Sequence, residues 1–351
     1  MQFSIWGVFS SRFSSSIKII IISMQKIIGS NTLRFTCFLL IFLNHAGQLF
    51  PYSYLAVEFF FSLSAFLLTL PAYEEIKKTG TFSQKNFFMR RTFRIWPLYF
   101  VFLFIGFLIV PAILHQVGMT ITLPRQKIYY LLFISNFYFE PHHFAFQQLW
   151  SISVQEQFYL VFLILSFLLK RHTWILVAAL SLVSIGTIQY SIWFPMNTHA
   201  NTFYHLISFG TGIAAAKLAS GKSFSIKITL AGILISFLIS ALFINNPQLN
   251  SYRKIPFSVF TGLVILLIYQ AQPFFKKAKP FFVIPEQLGK YSYGFYVFSG
   301  FVISVFGHLS FTNNLFLKIS AELVTIFIIA ATSYYLIELP FIKLKDKFRN
   351  Y

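Results

Sequence analysis

Apolar segments of roughly membrane-spanning length alternate with short polar stretches along most of the chain. About 20 mostly apolar residues are needed to cross the hydrocarbon core of a bilayer as a helix. Because lipid cannot hydrogen-bond the backbone, each such segment is predicted to be helical, and the fold to be an all-α integral membrane bundle. The ten predicted spans are residues 33–51, 54–72, 94–114, 149–169, 173–193, 202–219, 228–244, 256–272, 291–308 and 319–338.

Lys and Arg are distributed unevenly between the connections. The 351-residue chain carries 28 Lys and Arg against nine Asp and Glu, a net charge of +19. Ten spans put both termini on one side, and 23 of the 28 basic residues then fall on that side. Basic residues favour the cytoplasmic face of a membrane. We therefore predict cytoplasmic termini in a multi-pass protein of the cell membrane, and the alternation excludes a nucleic-acid-binding patch.

The composition excludes several other classes of protein. The chain is 57% hydrophobic and 11% charged, whereas soluble domains contain about 25% charged residues. A single cysteine, Cys37, excludes a disulfide scaffold and a multi-cysteine zinc site. The adjacent His142 and His143 form a poor ligand set by themselves. No metal site is therefore expected.

The chain divides into three regions. Residues 1–28 are predicted to form a cytoplasmic or interfacial segment, because the apolar run at 17–22 is too short to span a bilayer; a true start at Met24 is the open alternative. Residues 29–340 form the predicted membrane domain. Residues 341–351 form a predicted basic cytoplasmic tail.

Arg34 and His45 lie on one face of the first predicted helix. Eleven steps of 100° end about 20° past three full turns and separate the two side chains by roughly 16 Å along the axis. With Arg34 at the cytoplasmic surface, His45 is expected about halfway through the ~30 Å core. This arrangement suits a long anionic cofactor whose reactive end reaches the imidazole. The open alternative is that Arg34 anchors the helix at the membrane surface and that His45 is a hydrogen-bonded residue packed within the bundle.

Two glutamates, Glu58 and Glu156, are expected at or outside the depth of His45. Ionisable residues inside a membrane are costly, so each is a candidate functional residue. A buried carboxylate beside an imidazole can orient the ring and stabilise its charged form. The alternative is a structural pair between helices. For His205, early in the sixth span, core packing is the favoured interpretation over a place in a cavity.

Six segments carry a resemblance to a known family. The most specific is the fourth, in which Gln155 replaces the family's usual first glutamate and Glu156 keeps the second. In order along the chain, the segments are LRFTCFLLIFLNHAG (33–47), AVEFFFSLSAFLLT (56–69), FFMRRTFRIWPLYF (87–100), LWSISVQEQFYL (149–160), LGKYSYGFYVFSGFV (288–302) and IELPFIKL (337–344). On these residues the chain resembles the integral-membrane acyltransferase family 3, whose members O-acylate cell-surface sugars and other acceptors.

The resemblance implies an acyl-CoA donor, usually acetyl-CoA, that binds from the cytoplasm as a co-substrate, with no permanently bound cofactor. Arg34, together with Arg90, Arg91 and Arg94 of the most basic connection, is expected to hold the donor, since arginine forks match phosphate geometry. The alternative is that these arginines only mark the cytoplasmic side of the membrane and contact anionic lipid. The expected acceptor is a carbohydrate or a glycolipid.

In this interpretation His45 is the general base that takes a proton from an acceptor hydroxyl, a role that suits a neutral imidazole with a pKa of about 6.5. Glu58 or Glu156 would orient His45 or bind sugar hydroxyls. The competing interpretation is a polytopic transporter or flippase for a sugar or small metabolite, because buried carboxylates also fit carriers. No inverted repeat is evident in the sequence to support it.

Overall fold

A computed structural model describes residues 27–116, 123–138, 144–221, 224–309, 312–345 and 348. Most of the predicted N-terminal segment 1–28, the His142–His143 pair and five residues of the basic tail (346, 347 and 349–351) lie outside these residues. The described chain is built from ten long helices, and it contains no strand. They are α1 (Ser30–Gly47), α2 (Ala56–Thr79), α3 (Gln84–Phe104), α4 (Leu149–Leu165), α5 (Thr173–Trp193), α6 (Thr202–Ser220), α7 (Ile226–Asn245), α8 (Lys254–Gln270), α9 (Ser292–Leu309) and α10 (Leu315–Ser333).

Shorter helical pieces extend or connect the long helices. Two π-helical segments, Ile105–Ile109 and Tyr334–Glu338, continue α3 and α10. The remaining α-helical pieces are Val110–Gln116, Lys127–Leu131, Phe144–Gln147, Gln272–Lys277, Lys279–Leu288 and Leu339–Lys345. The 3₁₀ turns are Ser53–Leu55, Ser135–Phe137, Ser166–Leu169, Asn250–Tyr252 and Gly289–Tyr291.

The prediction of an all-α membrane bundle is confirmed. Each predicted span coincides with one long helix, and eight helical stretches of the described chain are long and apolar enough to cross a membrane. The helices α1 and α6 are not among these eight, so the count of ten spans exceeds what length and composition support. The eight stretches are Ser53–Thr79, Gln84–Ile113, Ala145–Leu169, Thr173–Trp193, Ile226–Asn245, Asn250–Gln270, Pro280–Leu309 and Leu315–Leu344.

The start of α1 is fixed by a segment that lies far away in sequence. Glu286 Oε1 accepts hydrogen bonds from the backbone N–H of Gly29 at 2.7 Å and of Thr32 at 3.1 Å. Helix N-termini have unpaired N–H groups and favour a negative charge. Asn31 Nδ2 donates to the backbone oxygen of Glu286 at 3.2 Å. These bonds set the position of the first turn of α1, which carries Arg34.

The helix α6 packs closely between α2, α5 and α8. Its Gly212 lies directly against the backbone of α2, since a Cβ at this position would be 2.1 Å from the carbonyl oxygen of Ser62. Side-chain hydrogen bonds reinforce this contact. Ser62 Oγ donates to the backbone oxygen of Ser208 at 2.8 Å and contacts Thr261 Oγ1 of α8 at 2.8 Å. The small residues Gly212, Ser62 and Thr261 thus allow α6, α2 and α8 to pack closely against one another.

A Gly212→Ala variant is expected to lose about 1–3 kcal/mol of unfolding free energy, because the added methyl group overpacks the contact with Ser62. The matched control is Gly186→Ala in α5, where a Cβ meets no atom within 4 Å. Alanine is favoured over glycine in helices by about 1 kcal/mol, so the control should be neutral or stabilising. Denaturant unfolding in detergent micelles measures both, and equal effects of the two variants would contradict close packing at Gly212.

Candidate functional site

Three arginines line a cavity with an empty volume of about 730 Å³, which we call the arginine cavity. Arg34 comes from α1, while Arg91 and Arg94 come from consecutive turns of α3. The described lining residues include no carboxylate. The remaining lining residues are Val57, Phe60, Phe61 and Ser64 of α2, Ile95 of α3, Ser151, Ile152, Gln155 and Tyr159 of α4, and Ser292, Tyr293 and Tyr296 of α9.

The three guanidinium groups give the arginine cavity a strong positive charge. Arg34 Nη1 donates to Asn31 Oδ1 at 3.1 Å, and the guanidinium of Arg91 lies over the Tyr159 ring at 5.6 Å from its centroid. These contacts orient two of the cations but do not neutralise them. Arginine presents five donors in a fork that matches phosphate and carboxylate groups. The cavity can therefore hold an anionic ligand or co-substrate.

Uncharged polar groups also line the arginine cavity. Gln155 Nε2 donates to Ser64 Oγ at 2.9 Å, and Tyr159 donates to Gln155 Oε1 at 3.3 Å. Ser151 Oγ donates to the Tyr296 hydroxyl at 2.7 Å. Gln155 is the residue at which the resemblance described above would give a glutamate. An uncharged amide at this position leaves the positive charge of the cavity undiminished.

A second cavity of about 460 Å³, which we call the lysine cavity, contains a buried ion pair. Lys254 Nζ, at the start of α8, lies 2.8 Å from Glu58 Oε1 in α2. Ser208 Oγ of α6 donates to Glu58 Oε2 at 2.5 Å. The lining residues are Tyr54, Leu55, Glu58, Trp150, Thr198, His199, Tyr204, His205, Arg253 and Lys254.

His205 contacts this ion pair through one ring nitrogen and the protein backbone through the other. Its Nε2 lies 2.9 Å from the backbone oxygen of His199, which only accepts, so Nε2 carries a hydrogen. Its Nδ1 lies 3.0 Å from Glu58 Oε1 and also contacts Lys254 Nζ. An ammonium group only donates, so Nδ1 of a neutral His205 accepts from Lys254. Both ring nitrogens are therefore engaged within the protein.

His199 lies in the connection between α5 and α6 and lines the lysine cavity. Its ring centroid is 4.7 Å from that of Trp150. Loss of water around the ring lowers the pKa of His199 to about 4, and the nearby Lys254 ammonium also disfavours its protonation. His199 is consequently a neutral imidazole at pH 7.

The two cavities lie back to back within the bundle, separated by aromatic rings. Phe61 lines the arginine cavity, Trp150 lines the lysine cavity, and their ring centroids are 6.2 Å apart. Phe61 also packs against the His205 ring at 4.9 Å and against Phe209 at 4.8 Å. Phe209 in turn stacks on Phe158 at 3.8 Å. The helices α2 and α4 therefore contribute to both cavities.

His45 is exposed in the last turn of α1 and lines neither cavity. Since 18 residues of α-helix extend about 27 Å, Arg34 and His45 lie near opposite ends of α1. The helix ends shortly after His45, where Gln48 takes a left-handed conformation with φ of 54°. The connection after α1 leads directly to Tyr54 and Leu55, which line the lysine cavity, so His45 lies at the same end of the bundle as that cavity.

Arg90 is directed away from the arginine cavity, unlike its neighbour Arg91. Its Nη1 donates to the backbone oxygen of Phe348 at 2.9 Å, and its Nη2 lies 3.7 Å from Glu75 Oε2. The sequence groups Arg90 with Arg91 and Arg94, but adjacent helical positions point about 100° apart. The structure therefore brings three of the four predicted arginines together.

Glu156 is buried between helices and lines neither cavity. Its Oε2 accepts a hydrogen bond from Trp96 Nε1 of α3 at 3.0 Å, and its Oε1 has no hydrogen-bond partner among the described residues. The Glu156 carboxylate is thus bonded to Trp96 and not to His45. Glu58 likewise binds Lys254 and His205, so neither glutamate is shown to orient His45.

Lys254, Arg253 and His199 are cavity residues that the sequence did not single out. Arg253 and Lys254 directly precede an apolar span, and basic residues at such positions usually mark a membrane surface. The only available signal was their location on the sparsely basic side of the predicted bundle. His199 lies in a polar connection and carries no distinguishing spacing.

The fold and the cavities define a multi-pass helical membrane protein with an arginine-lined cavity. Comparison with known families agrees with this class. The sequence profile of a family described as “Acyltransferase domain” matches residues 27–338. The chain belongs to this acyltransferase family.

Several bacterial proteins resemble the chain. A Staphylococcus aureus (strain COL) protein named “Putative O-acetyltransferase” is 26% identical over 324 residues, covering 87% of this chain and 48% of that protein. The peptidoglycan O-acetyltransferase OatA of Listeria monocytogenes is 24% identical over 333 residues, covering 85% and 52%. The chain thus spans about half the length of these curated relatives. No solved structure matches it.

Proposed function

We propose that this protein is a membrane O-acyltransferase of the cell membrane. It transfers an acyl group, most simply acetyl, from acyl-CoA to a hydroxyl of a cell-surface carbohydrate or lipid-linked sugar. The observation that carries the proposal is the arginine cavity within a chain of the acyltransferase family. The names of the relatives, which include a peptidoglycan O-acetyltransferase, support the acyl group and the class of acceptor.

In this proposal the arginine cavity receives the donor. Coenzyme A carries several phosphate charges, and Arg34, Arg91 and Arg94 offer three guanidinium forks in one cavity without a competing carboxylate among the described lining residues. The concentration of Lys and Arg on the Arg34 side of the predicted spans supports donor entry from the cytoplasm. The thioester would then point toward Phe61, the lining residue whose ring contacts Trp150 and His205 of the lysine cavity.

The proposed general base is His45, at the opposite end of α1. It takes the proton of the acceptor hydroxyl while that oxygen attacks the thioester carbonyl, and the CoA sulfur leaves and recovers a proton. Glu58 contributes by holding Lys254 and His205 in place in the lysine cavity. Glu156, bonded to Trp96, has a structural role in this proposal.

Transfer of label tests the proposed function. The purified protein in proteoliposomes is given acyl-CoA labelled in the acyl group, with glycan-bearing membrane fragments as acceptor. We expect covalent label in the glycan fraction, detected by mass spectrometry. Uptake of a sugar into the vesicles without covalent label would instead identify a carrier and overturn the proposal.

An Arg91→Gln variant is expected to raise the KM for acyl-CoA by about 10- to 100-fold, because a hydrogen bond to a charged group contributes about 1.5–3 kcal/mol. The matched control is Arg90→Gln on the adjacent residue, which binds Phe348 and Glu75 instead. It should change the KM for the donor less than twofold. Similar effects of both substitutions would show that general basic charge, not the arginine cavity, attracts the donor.

A further inference from the structure

The charges that line the lysine cavity do not cancel. Glu58 supplies one negative charge, and Lys254 and Arg253 supply one positive charge each. His199 is neutral at pH 7 because its pKa is about 4, and His205 adds no negative charge in either protonation state. The described lining residues therefore carry at least one surplus positive charge. A cavity with a net positive charge favours an anionic ligand.

The surplus charge resides on Arg253 rather than on Lys254. The Lys254 ammonium is buried, contacts Glu58 and His205, and lies 3.9 Å from the centroid of the Tyr204 ring. These contacts occupy its donors and compensate its charge. Glu58, in turn, is fully engaged by Lys254 and Ser208. An incoming anion consequently has Arg253 as its available partner.

Arg253 is half-buried and held in place by two contacts. Its Nη1 donates to the backbone oxygen of Asn250 at 3.1 Å, and its guanidinium carbon lies 5.4 Å from the centroid of the Tyr54 ring. No carboxylate lies within ion-pair distance of Arg253 among the described residues. The contact with Asn250 uses one of the five guanidinium hydrogens, so a two-pronged face is left for a carboxylate or phosphate.

The rim of the lysine cavity is suited to a sugar ring. Tyr54 and Tyr204 are half-buried and combine apolar ring surface with a hydroxyl group. A pyranose likewise has apolar C–H faces and a rim of hydroxyls. Tyrosine is common where one part of a ligand contact is apolar and the other is hydrated.

We propose that the lysine cavity binds the acceptor as an acidic carbohydrate, with Arg253 paired to its carboxylate or phosphate group. This inference rests on the proposed function and specifies the class of its acceptor. A neutral sugar would fill the same space but would leave the charge of Arg253 uncompensated. The cavity thus selects charged acceptors through one residue, which is separate from the donor-binding arginines.

The test uses the reconstituted full chain with labelled acyl-CoA and three acceptor probes. They are an oligosaccharide that contains a uronic acid, its carboxyl-reduced neutral counterpart, and the neutral sugar joined to a polyprenyl chain through a diphosphate. We expect the wild type to acylate one or both anionic probes with at least tenfold lower KM than the neutral one. The preferred anionic probe identifies a carboxylate or a diphosphate as the recognised group.

Variants at Arg253 then locate the selectivity. Arg253→Gln should raise the KM for the preferred anionic probe at least tenfold and leave the KM values for the neutral probe and acyl-CoA unchanged. Arg253→Lys should give an intermediate KM, since it keeps the charge but loses the fork. The control is Arg125→Gln, on an exposed connection outside both cavities, which should match the wild type.

Two negative results have different meanings. Equal KM values of the wild type for anionic and neutral probes, or an Arg253→Gln effect that is the same for all probes, would overturn the acidic-acceptor inference alone. A wild-type protein that acylates none of the probes and none of the native glycan fragments would overturn the proposed function. Thermal unfolding of each variant, compared with the wild type, identifies any loss that comes from misfolding.

Discussion

A Glu58→Gln variant is expected to lose about 3–5 kcal/mol of unfolding free energy. The substitution leaves the Lys254 ammonium buried beside a neutral His205 with no opposite charge, and breaking one side of a buried pair carries a cost of this size. Unfolding in detergent micelles at increasing denaturant measures the loss. A Lys277→Met control, which removes an exposed lysine, should stay within about 0.5 kcal/mol of the wild type.

A double-mutant cycle separates the pair from its surroundings. Lys254→Met alone is expected to cost less than Glu58→Gln, because His205 can take up a proton and pair with Glu58. The double variant should recover much of the loss, since replacing both members of a buried pair is often nearly neutral. Losses of the two single variants that simply add would contradict the ion pair described between α2 and α8.

A His45→Ala variant is expected to lower kcat for acyl transfer by about 10²- to 10⁴-fold, which is the usual contribution of a general base. The amount of folded protein in the membrane should not change, because His45 is exposed at the end of α1. Acylated product is quantified by mass spectrometry and normalised to the protein content of the membranes.

His199→Ala is the matched comparison for His45. Both histidines lie at the same end of the bundle, and His199 lines the lysine cavity whereas His45 does not. A small effect of His199→Ala together with a large effect of His45→Ala supports the proposed base. The reverse pattern would transfer the role of base to His199.

The helical framework could be predicted because every span is marked in the sequence by its own apolar segment. The ten apolar segments coincide with ten long helices of the described chain, since each helix satisfies its own backbone. The ends were less predictable. The first span was predicted at 33–51, whereas α1 begins after Gly29 with φ of 94° and ends before Gln48 with φ of 54°. Local backbone conformations of this kind have no hydropathy signature.

The candidate site was predictable only where its residues belong to a recognisable motif. Arg34, Arg91 and Arg94 stand in two such segments and converge on one cavity. The partners of Glu58 were missed, since Lys254 is 196 positions away in the sequence and His205 is 147 positions away. Such pairings depend on which helices become neighbours, and a single sequence does not record that arrangement.

The contact of Phe61 with Trp150 has a consequence for the bilayer itself. An enzyme that receives one substrate from each aqueous side risks opening a continuous path for ions. A membrane potential of 100 mV changes the free energy of each elementary charge that crosses by about 2.3 kcal/mol. Even a narrow water-filled channel would let ions cross and dissipate this potential. The rings of Phe61 and Trp150 meet edge to face between the two cavities, so apolar surface lies at this point instead of a polar path, and it works against ion leakage across the bilayer.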